Sequence, residues 1–542
     1  MPLDTWLAGW RPYALLGALC LCLYLPGIAA LPVLDRDEAR FAQATRQMLE
    51  SRDFLDIRFR DEARNNKPAG IYWLQAAAVA ALSTPRSTAI WPYRVPSLIG
   101  ATLAAMLTFA LGRRLLDDKR PALLAAMLLA AALGTLAEAH IAKTDAALLA
   151  ATAAGQGALG LAYVRARGGA RAGPCTIALF WLAEIAAIYL KGPVGPGLAL
   201  VTAASLSLAD RDARWLRALH PAAGLTVTAL AVAPWLYAIE HATAGRFLGQ
   251  AVGHDLLAKI TGGQEAHGAP PLYYLGLAFV TFWPGSWLIA PAVLGGWRRR
   301  AEPARRFLLA WLIPAWIALE LVPTKLPHYA LPLYPALALL AAASLVDGVD
   351  LGRWGRWLVR ANRLLWLAVT LAIAVAWIVL PVRLGSGAMP AGIAGTVLIL
   401  ALAALFLWQR LRPLRATALL AAMSVVLAIA GSFIVPALDR LWLSRGAAAL
   451  ATAHPPPNGS LTVVGYNEPS LVFLLNGSFK TQTADVPVPA GGEALVSSRD
   501  TAAFEQAEAA SGLAAQAIDA VPGIDYSNGQ HLTLTLYRIV PR

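Results

Sequence analysis

Leu364-Leu365-Trp366-Leu367-Ala368-Val369-Thr370-Leu371-Ala372-Ile373-Ala374-Val375-Ala376-Trp377-Ile378-Val379-Leu380-Pro381-Val382 is a run of nineteen residues without a charge. Arg353, Arg356, Arg360 and Arg363 precede it, and Arg383 follows. A hydrocarbon core about 30 Å thick takes about 20 such residues as a helix, so the run reads as a membrane span with its basic flank on the cytoplasmic side. Comparable blocks occupy 12–31, 95–112, 121–137, 146–164, 174–190, 193–208, 218–238, 272–295, 307–322, 330–346, 391–408 and 416–437, which predicts thirteen spans. The chain is 58% hydrophobic and only 14% charged, whereas an ordinary soluble protein is about a quarter charged. A single globular domain and a disordered chain are both excluded.

The positive charge sets the sidedness. With the N-terminus cytoplasmic, the inward segments are the N-terminus, 113–120, 165–173, 209–217, 297–306, 347–363 and 409–415, and they hold 23 Lys or Arg. The short outward loops 138–145, 323–329 and 383–390 hold one each. Ile71–Ser83 is too short to span and reads as an interfacial helix, since counting it would turn every later basic cluster outward. The net charge of +13 is therefore a topology signal, and nucleic acid is not an expected partner. Cys20, Cys22 and Cys175 all lie in apolar blocks and read as packing residues. A signal peptide ending near Ala29-Ala30 is a weaker reading of the first block than an uncleaved anchor.

Two segments break the membrane pattern. Residues 32–94 form a long outward loop with interfacial helices, and 438–542 form a small extracytoplasmic α/β domain behind Pro455-Pro456-Pro457-Asn458-Gly459. In that tail, strands are expected at Leu461–Val464, Leu471–Leu475 and Leu532–Ile539, with a helix near Thr501–Ala515. Residues 1–437 would form the membrane domain.

Charges beside or within a membrane are costly and need a reason. Asp35-Arg36-Asp37-Glu38-Ala39-Arg40-Phe41 opens the first loop, and Asp35 with Glu38 has capping-box spacing. Glu38 reads first as a cap. Asp37 is not needed by the cap, and as an anion in a first helical turn it could accept a proton or bind a cation. Lys67 stands before the aromatic Ile71-Tyr72-Trp73 helix, where it could snorkel to headgroups or meet a phosphate. Asp145 is the preferred functional acid of the outward layer that also holds Glu138 and His140. Glu184 lies within a span and should pair with something, Glu320 reads as interfacial, and Glu265 with His267 offers two ligands for a possible divalent metal, fewer than make a site.

Asp37-Glu38-Ala39-Arg40-Phe41-Ala42, then Met48-Leu49-Glu50-Ser51, then Lys67-Pro68 before Ile71-Tyr72-Trp73-Leu74 resembles the first extracytoplasmic loop of the protein O-mannosyltransferase-like superfamily, glycosyltransferase family 39 and its relatives, with the GT-C fold. Within it the chain most resembles the bacterial aminoarabinose lipid A transferases. Thr144-Asp145-Ala146, Lys191-Gly192-Pro193, His267-Gly268-Ala269-Pro270-Pro271 and Lys325-Leu326-Pro327-His328-Tyr329 agree, and all fall in segments already read as outward. The resemblance implies an enzyme of the bacterial inner membrane that moves a sugar from a polyprenyl (undecaprenyl) phosphate to lipid A or another envelope acceptor, with inversion, on the periplasmic face. The sugar would be 4-amino-4-deoxy-L-arabinose by analogy.

It implies Asp37, with Glu38 beside it, as the catalytic carboxylate, and Lys67, Lys191, Lys259, Lys325 and Tyr329 as candidates for the donor phosphate. Asp145, Tyr72 and His254 are expected in the acceptor site or pocket. The chain has Asn66 where aminoarabinose transferases commonly have Glu before the Lys-Pro, which puts the metal and the sugar in question. Two other readings stay open: a protein O-mannosyltransferase-like enzyme with a peptide acceptor, and a lipid-sugar transporter or flippase. The transporter reading rests mainly on Glu184, and no internal repeat supports it.

Overall fold

The computed structural model describes residues 7–34, 36–64, 67–250, 269–348, 352–385, 387–408 and 412–542. After a first apolar helix, Arg11–Tyr24, the chain forms helix α1 (Arg36–Ser51), a two-residue antiparallel ladder of β1 (Arg58–Phe59) and β2 (Glu62–Ala63), and helix α2 (Gly70–Leu82). At 13 residues, about 20 Å at 1.5 Å per residue, α2 is too short to span, as expected for an interfacial helix.

Eight of the described helices are long and apolar enough to cross a membrane: Trp91–Leu115, α3 (Asp145–Arg167), α4 (Pro174–Lys191), Pro221–Ala242, Pro327–Asp347, Gly352–Leu384, Met389–Trp408 and Pro413–Ala437. Lys119–Ala131 with Leu133–Ala139 makes a ninth if that pair, bent by 59°, is one span. The expectation of thirteen is therefore corrected to eight or nine, and each shortfall has a local cause. The helix of block 12–31 ends at Tyr24, just before Pro26 and Gly27, whose φ of +82° no helix continues. Helix α5 (Val194–Asp210) has only 17 residues. Block 272–295 is interrupted around Pro284, giving Tyr273–Thr281, a 3-10 turn at Gly285–Leu288 and Ile289–Arg298. Helix α6 (Pro303–Leu321) carries Arg305, Arg306 and Glu320. At the bend after Ala131, Ala132 is extended and the Leu133 N–H donates to the Trp283 carbonyl at 2.8 Å. Irregular backbone of this kind is tolerated at membrane depth only where other protein satisfies it.

The helix ends meet in the pairing that the charge pattern demands. Asp210, at the end of α5, takes Arg167 of α3 at 3.6 Å, Arg306 of α6, and the Tyr163 hydroxyl at 2.7 Å. Asp347 takes Arg299 and, at 2.7 Å, Arg305. Four segments read as inward thus share one end of the bundle. At the other end, loops read as outward come together around Asp145.

The C-terminal segment holds a five-stranded mixed sheet in the order β4-β3-β5-β7-β6, built from β3 (Leu461–Val464), β4 (Lys480–Gln482), β5 (Glu493–Ser497), β6 (Leu513–Asp525) and β7 (Gln530–Pro541). β3 runs parallel to β4 and β5, and β7 runs antiparallel to β5 and β6. Two tail expectations are corrected. Leu471–Leu475 is not a strand but part of helix α7 (Pro469–Leu474), started by Pro469 at its first position. The 501–515 helix stops as α8 (Thr501–Ala510), because Gly512 turns the chain at φ +74° into β6.

Helix α7 packs on α1. Phe473 is buried with Val33, Ala39, Ala42, Ile90 and Tyr93 of the first loop and its flanks. The fully buried Arg46 stacks over the Phe473 ring at 4.2 Å and donates to the Phe473 carbonyl at 2.8 Å and to the Ser87 carbonyl at 2.9 Å. Arg60 donates to the Phe479 carbonyl at 2.8 Å. The tail is therefore bound to the loop that carries Asp37.

Candidate active site

Helix α1 opens with Arg36, Asp37 and Glu38, where unpaired backbone N–H groups favour anions. The two acids have different fates. Glu38 is fully buried: Oε1 accepts from Arg94 Nε at 2.8 Å and from the Ala142 N–H at 2.8 Å. Its Oε2 accepts from Arg94 Nη2 at 2.9 Å and from the Leu34 N–H at 2.5 Å. A carboxylate has about four lone-pair positions, and Glu38 has four donors. Arg94, also fully buried, spends its remaining protons on the carbonyls of Ile28, Leu31 and Pro32. The cap reading is right in kind, since Glu38 reaches back over the helix start. Its larger task is to join α1, the Trp91 helix and the 138–145 loop.

Asp37 faces outward, with its side chain 45% exposed. Its Oδ1 lies 3.5 Å from Arg40 Nη1 and 3.7 Å from Arg64 Nη2. Arg64 Nε donates to the Tyr72 hydroxyl at 3.1 Å, and the guanidinium stands 5.1 Å over the Phe41 ring. Phe41 and Tyr72 pack with ring centroids 5.1 Å apart, which ties α1 to α2. Burial pushes the Tyr72 phenol above its ordinary value, against the pull of Arg64.

The second cluster forms where α3 begins and α4 ends. Lys191 Nζ lies 2.5 Å from Asp145 Oδ1, and His328 Nε2 lies 3.7 Å from Asp145 Oδ2. Lys143 Nζ lies 3.4 Å from His328 Nδ1 and 3.3 Å from Glu138 Oε1. Lys191 also stands 5.2 Å above the Tyr329 ring. The charges acting on His328 are Asp145, Lys143, Lys191 and Lys67, so the Lys-Pro motif belongs to this field. The two clusters are joined through backbone. Glu38 holds Ala142, three residues before Asp145. Gly70 starts α2 so close to α4 that a Cβ there would lie 2.6 Å from the Tyr189 carbonyl oxygen.

Other candidates take structural places. Lys325 is buried and donates to the carbonyls of Glu320 and Val322 at 2.7 and 2.8 Å, a C-terminal cap for α6. Glu320 accepts the Leu275 N–H at 3.0 Å and so caps the Tyr273 helix, a more specific task than an interfacial charge. Both ring nitrogens of His140 sit on carbonyls, Leu136 at 2.8 Å and Pro26 at 2.9 Å. Glu184 was expected to pair, yet its Oε2 is buried without a hydrogen-bond partner. It fits a notch between Gly155 and Gly195, where a Cβ on Gly155 would stand 2.7 Å from Oε1. Asn66, His254, Lys259, Glu265 and His267 lie outside the described residues. Among the described residues no three metal-ligating side chains come together.

Sequence reasoning passed over Lys143 and His328. His328 lay inside a quoted motif without an assigned role. Lys143 is the lone base of the outward-read loop 138–145, and that isolation was the signal available in the sequence.

The chain resembles known proteins in sequence and in fold. It is 29% identical over 313 residues, 57% of its length, to an undecaprenyl phosphate-alpha-4-amino-4-deoxy-L-arabinose arabinosyl transferase of Pseudomonas paraeruginosa (strain DSM 24068 / PA7). It is 30% identical over 350 residues, 64% of its length, to the transferase of that name from Pseudomonas aeruginosa (strain LESB58). These matches span 55% and 61% of the relatives' own lengths. ArnT from Cupriavidus metallidurans, solved bound to undecaprenyl phosphate, superposes with a TM-score of 0.73 at 19% identity, covering 97% of this chain and 98% of that one. The archaeal oligosaccharyltransferase AglB from Archaeoglobus fulgidus superposes with a TM-score of 0.53 at 13% identity, over 86% of this chain and 63% of its own. No family model matches. The chain is thus related to the aminoarabinosyl transferases and has their GT-C fold.

Proposed function

We propose that the protein is an inner-membrane glycosyltransferase that moves a sugar, 4-amino-4-deoxy-L-arabinose or a close relative, from undecaprenyl phosphate to lipid A on the periplasmic face. The observation that carries this reading is the gathering of Lys143, Lys191 and His328 around Asp145, with the charge of Lys67 acting on the same group from the first loop that also carries the exposed Asp37. The leaving group of such a transfer is a lipid phosphate whose charge grows as the glycosidic bond breaks. Fixed cations at a membrane surface stabilise that charge more than water does.

Within this reading Lys67 and Lys191 bind the donor phosphate, and Asp145 holds Lys191 in place. Asp37 is the anion that accepts the acceptor's proton or orients its attacking oxygen, while Arg40 and Arg64 fix its direction. Attack on the face opposite the leaving phosphate inverts the anomeric carbon. Glu38 is a positioning residue. The C-terminal segment is read as a periplasmic domain seated on the first loop, with the N-terminus cytoplasmic.

The reading is tested with purified protein, undecaprenyl phosphate-aminoarabinose and lipid A, followed by mass spectrometry of the lipid A. Addition of one aminoarabinose mass is expected. Unmodified lipid A, with the donor consumed only when a peptide acceptor is supplied, would replace this reading by the peptide-directed one.

A further inference from the structure

The tail reaches α1 through a carboxylate as well as through Phe473. Glu468 holds the N-cap position of α7 but makes no cap bond there. It is buried, and its Oε1 instead lies 3.2 Å from Arg36 Nη2 and accepts from Ser527 Oγ at 2.7 Å. Its Oε2 is buried without a hydrogen-bond partner. Ser527 Oγ also touches Asp525 Oδ1, so one hydroxyl proton stands between two carboxylates. Arg36 immediately precedes Asp37, and Arg40, the ion-pair partner of Asp37, also acts on Glu468. Glu468 is in contact with Arg36 from α1 and with Ser527 from the turn after β6, and the charges of Arg40 and Asp525 act on it as well. Tyr466 on the tail side feels its charge as well.

We infer that Glu468 is a positioning residue for Asp37: through its ion pair with Arg36 the C-terminal segment holds the first turn of α1, which carries Asp37. The inference rests on the transferase reading above. Arg36 pairs with the tail carboxylate at 3.2 Å and Arg40, one helical turn on, pairs with Asp37 at 3.5 Å. Removing Glu468's charge leaves Arg36 without its tail partner, and removing Arg36 takes a cation from the turn that carries Asp37. Burial pushes the Glu468 carboxyl above its usual range, with Ser527 and Arg36 opposing and Asp525 adding to the rise, so the ion pair is strongest at neutral and higher pH.

The test uses the full chain in lipid nanodiscs, with Glu468→Gln, Arg36→Gln and the double variant. In the transfer assay, the acid limb of the kcat/KM profile is expected to move down by roughly half a pH unit in Glu468→Gln and up by a similar amount in Arg36→Gln, the size of one charge a few ångströms away in a water-like dielectric. kcat should fall several-fold in each with the donor KM unchanged, and the double variant should change less than the two singles added. Hydrogen–deuterium exchange over 36–51 should quicken in both singles and no further in the double. Limbs that stay at the wild-type position in both variants, or unchanged exchange, would overturn the inference. Arg36 is half exposed, so its variant keeps the test open if Glu468→Gln folds poorly. A wild-type protein without transfer would instead overturn the transferase reading, and the exchange data would then decide whether tail and helix are coupled.

Discussion

Lys191, the last residue of α4, reaches Asp145, the first residue of α3, with Nζ 2.5 Å from Oδ1. The pair joins the adjacent ends of two helices long and apolar enough to cross a membrane and puts an ammonium where a helix N-terminus already favours anions. Around it stand His328, Lys143 and Tyr329. A partly buried cation with a carboxylate partner on one side can still offer protons to a phosphate on another.

Lys191→Ala should weaken donor binding by at least tenfold, since a charge-assisted hydrogen bond contributes about 1.5–3 kcal/mol and 1.4 kcal/mol is a factor of ten. Titration of the purified variant with undecaprenyl phosphate measures this. Wild-type affinity would place Lys191 in the scaffold only.

Lys67→Ala should raise the KM for the polyprenyl donor several-fold and leave the KM for lipid A where it was. Steady-state kinetics with each substrate varied separates the two. Movement of the acceptor KM alone would reassign Lys67 to the acceptor side.

Arg94→Met should destabilise the protein by about 3–5 kcal/mol, because it strands a buried carboxylate that now has four donors. Thermal unfolding in detergent should show a markedly lower Tm. A Tm within a degree or two of wild type would mean that Glu38 finds other partners, and the scaffold role given to it would not stand.

Gly155→Ala should lower the Tm, because the new methyl meets Glu184 Oε1 at 2.7 Å in a packed interior. Overpacking of this kind costs about 1–3 kcal/mol. Adding Glu184→Ala should restore most of the loss, whereas additive losses would show that the two residues do not share the notch.

The division between membrane helices and tail was legible because it depends on composition, and so was the grouping of basic segments at one end of the bundle, since Arg167, Asp210 and Arg306 meet as their charges require. The number of full spans was not legible. Hydropathy reports that residues 272–295 are apolar, but whether they run straight depends on Pro284 and on a partner remote in sequence, Leu133, whose N–H donates to the Trp283 carbonyl. The motif acids were visible as a pair, Asp37 and Glu38. Which of them is buried depends on Arg94 and Ala142, far along the chain, whose donors occupy Glu38 while Asp37 stays exposed. The strand forecast at Leu471–Leu475 failed because a run of five apolar residues suits either state, and Pro469 with the surface of α1 selected a helix.

The account stands or falls on Asp37→Asn. Measured as aminoarabinose added to lipid A by purified protein, transfer should fall at least a hundredfold, within the range of about 10²–10⁴ expected on losing a positioned acid–base group. Undecaprenyl phosphate binding and Tm should stay near wild type, because the Asp37 side chain is 45% exposed and the substitution removes no cation. Wild-type turnover in that variant would contradict the central claim.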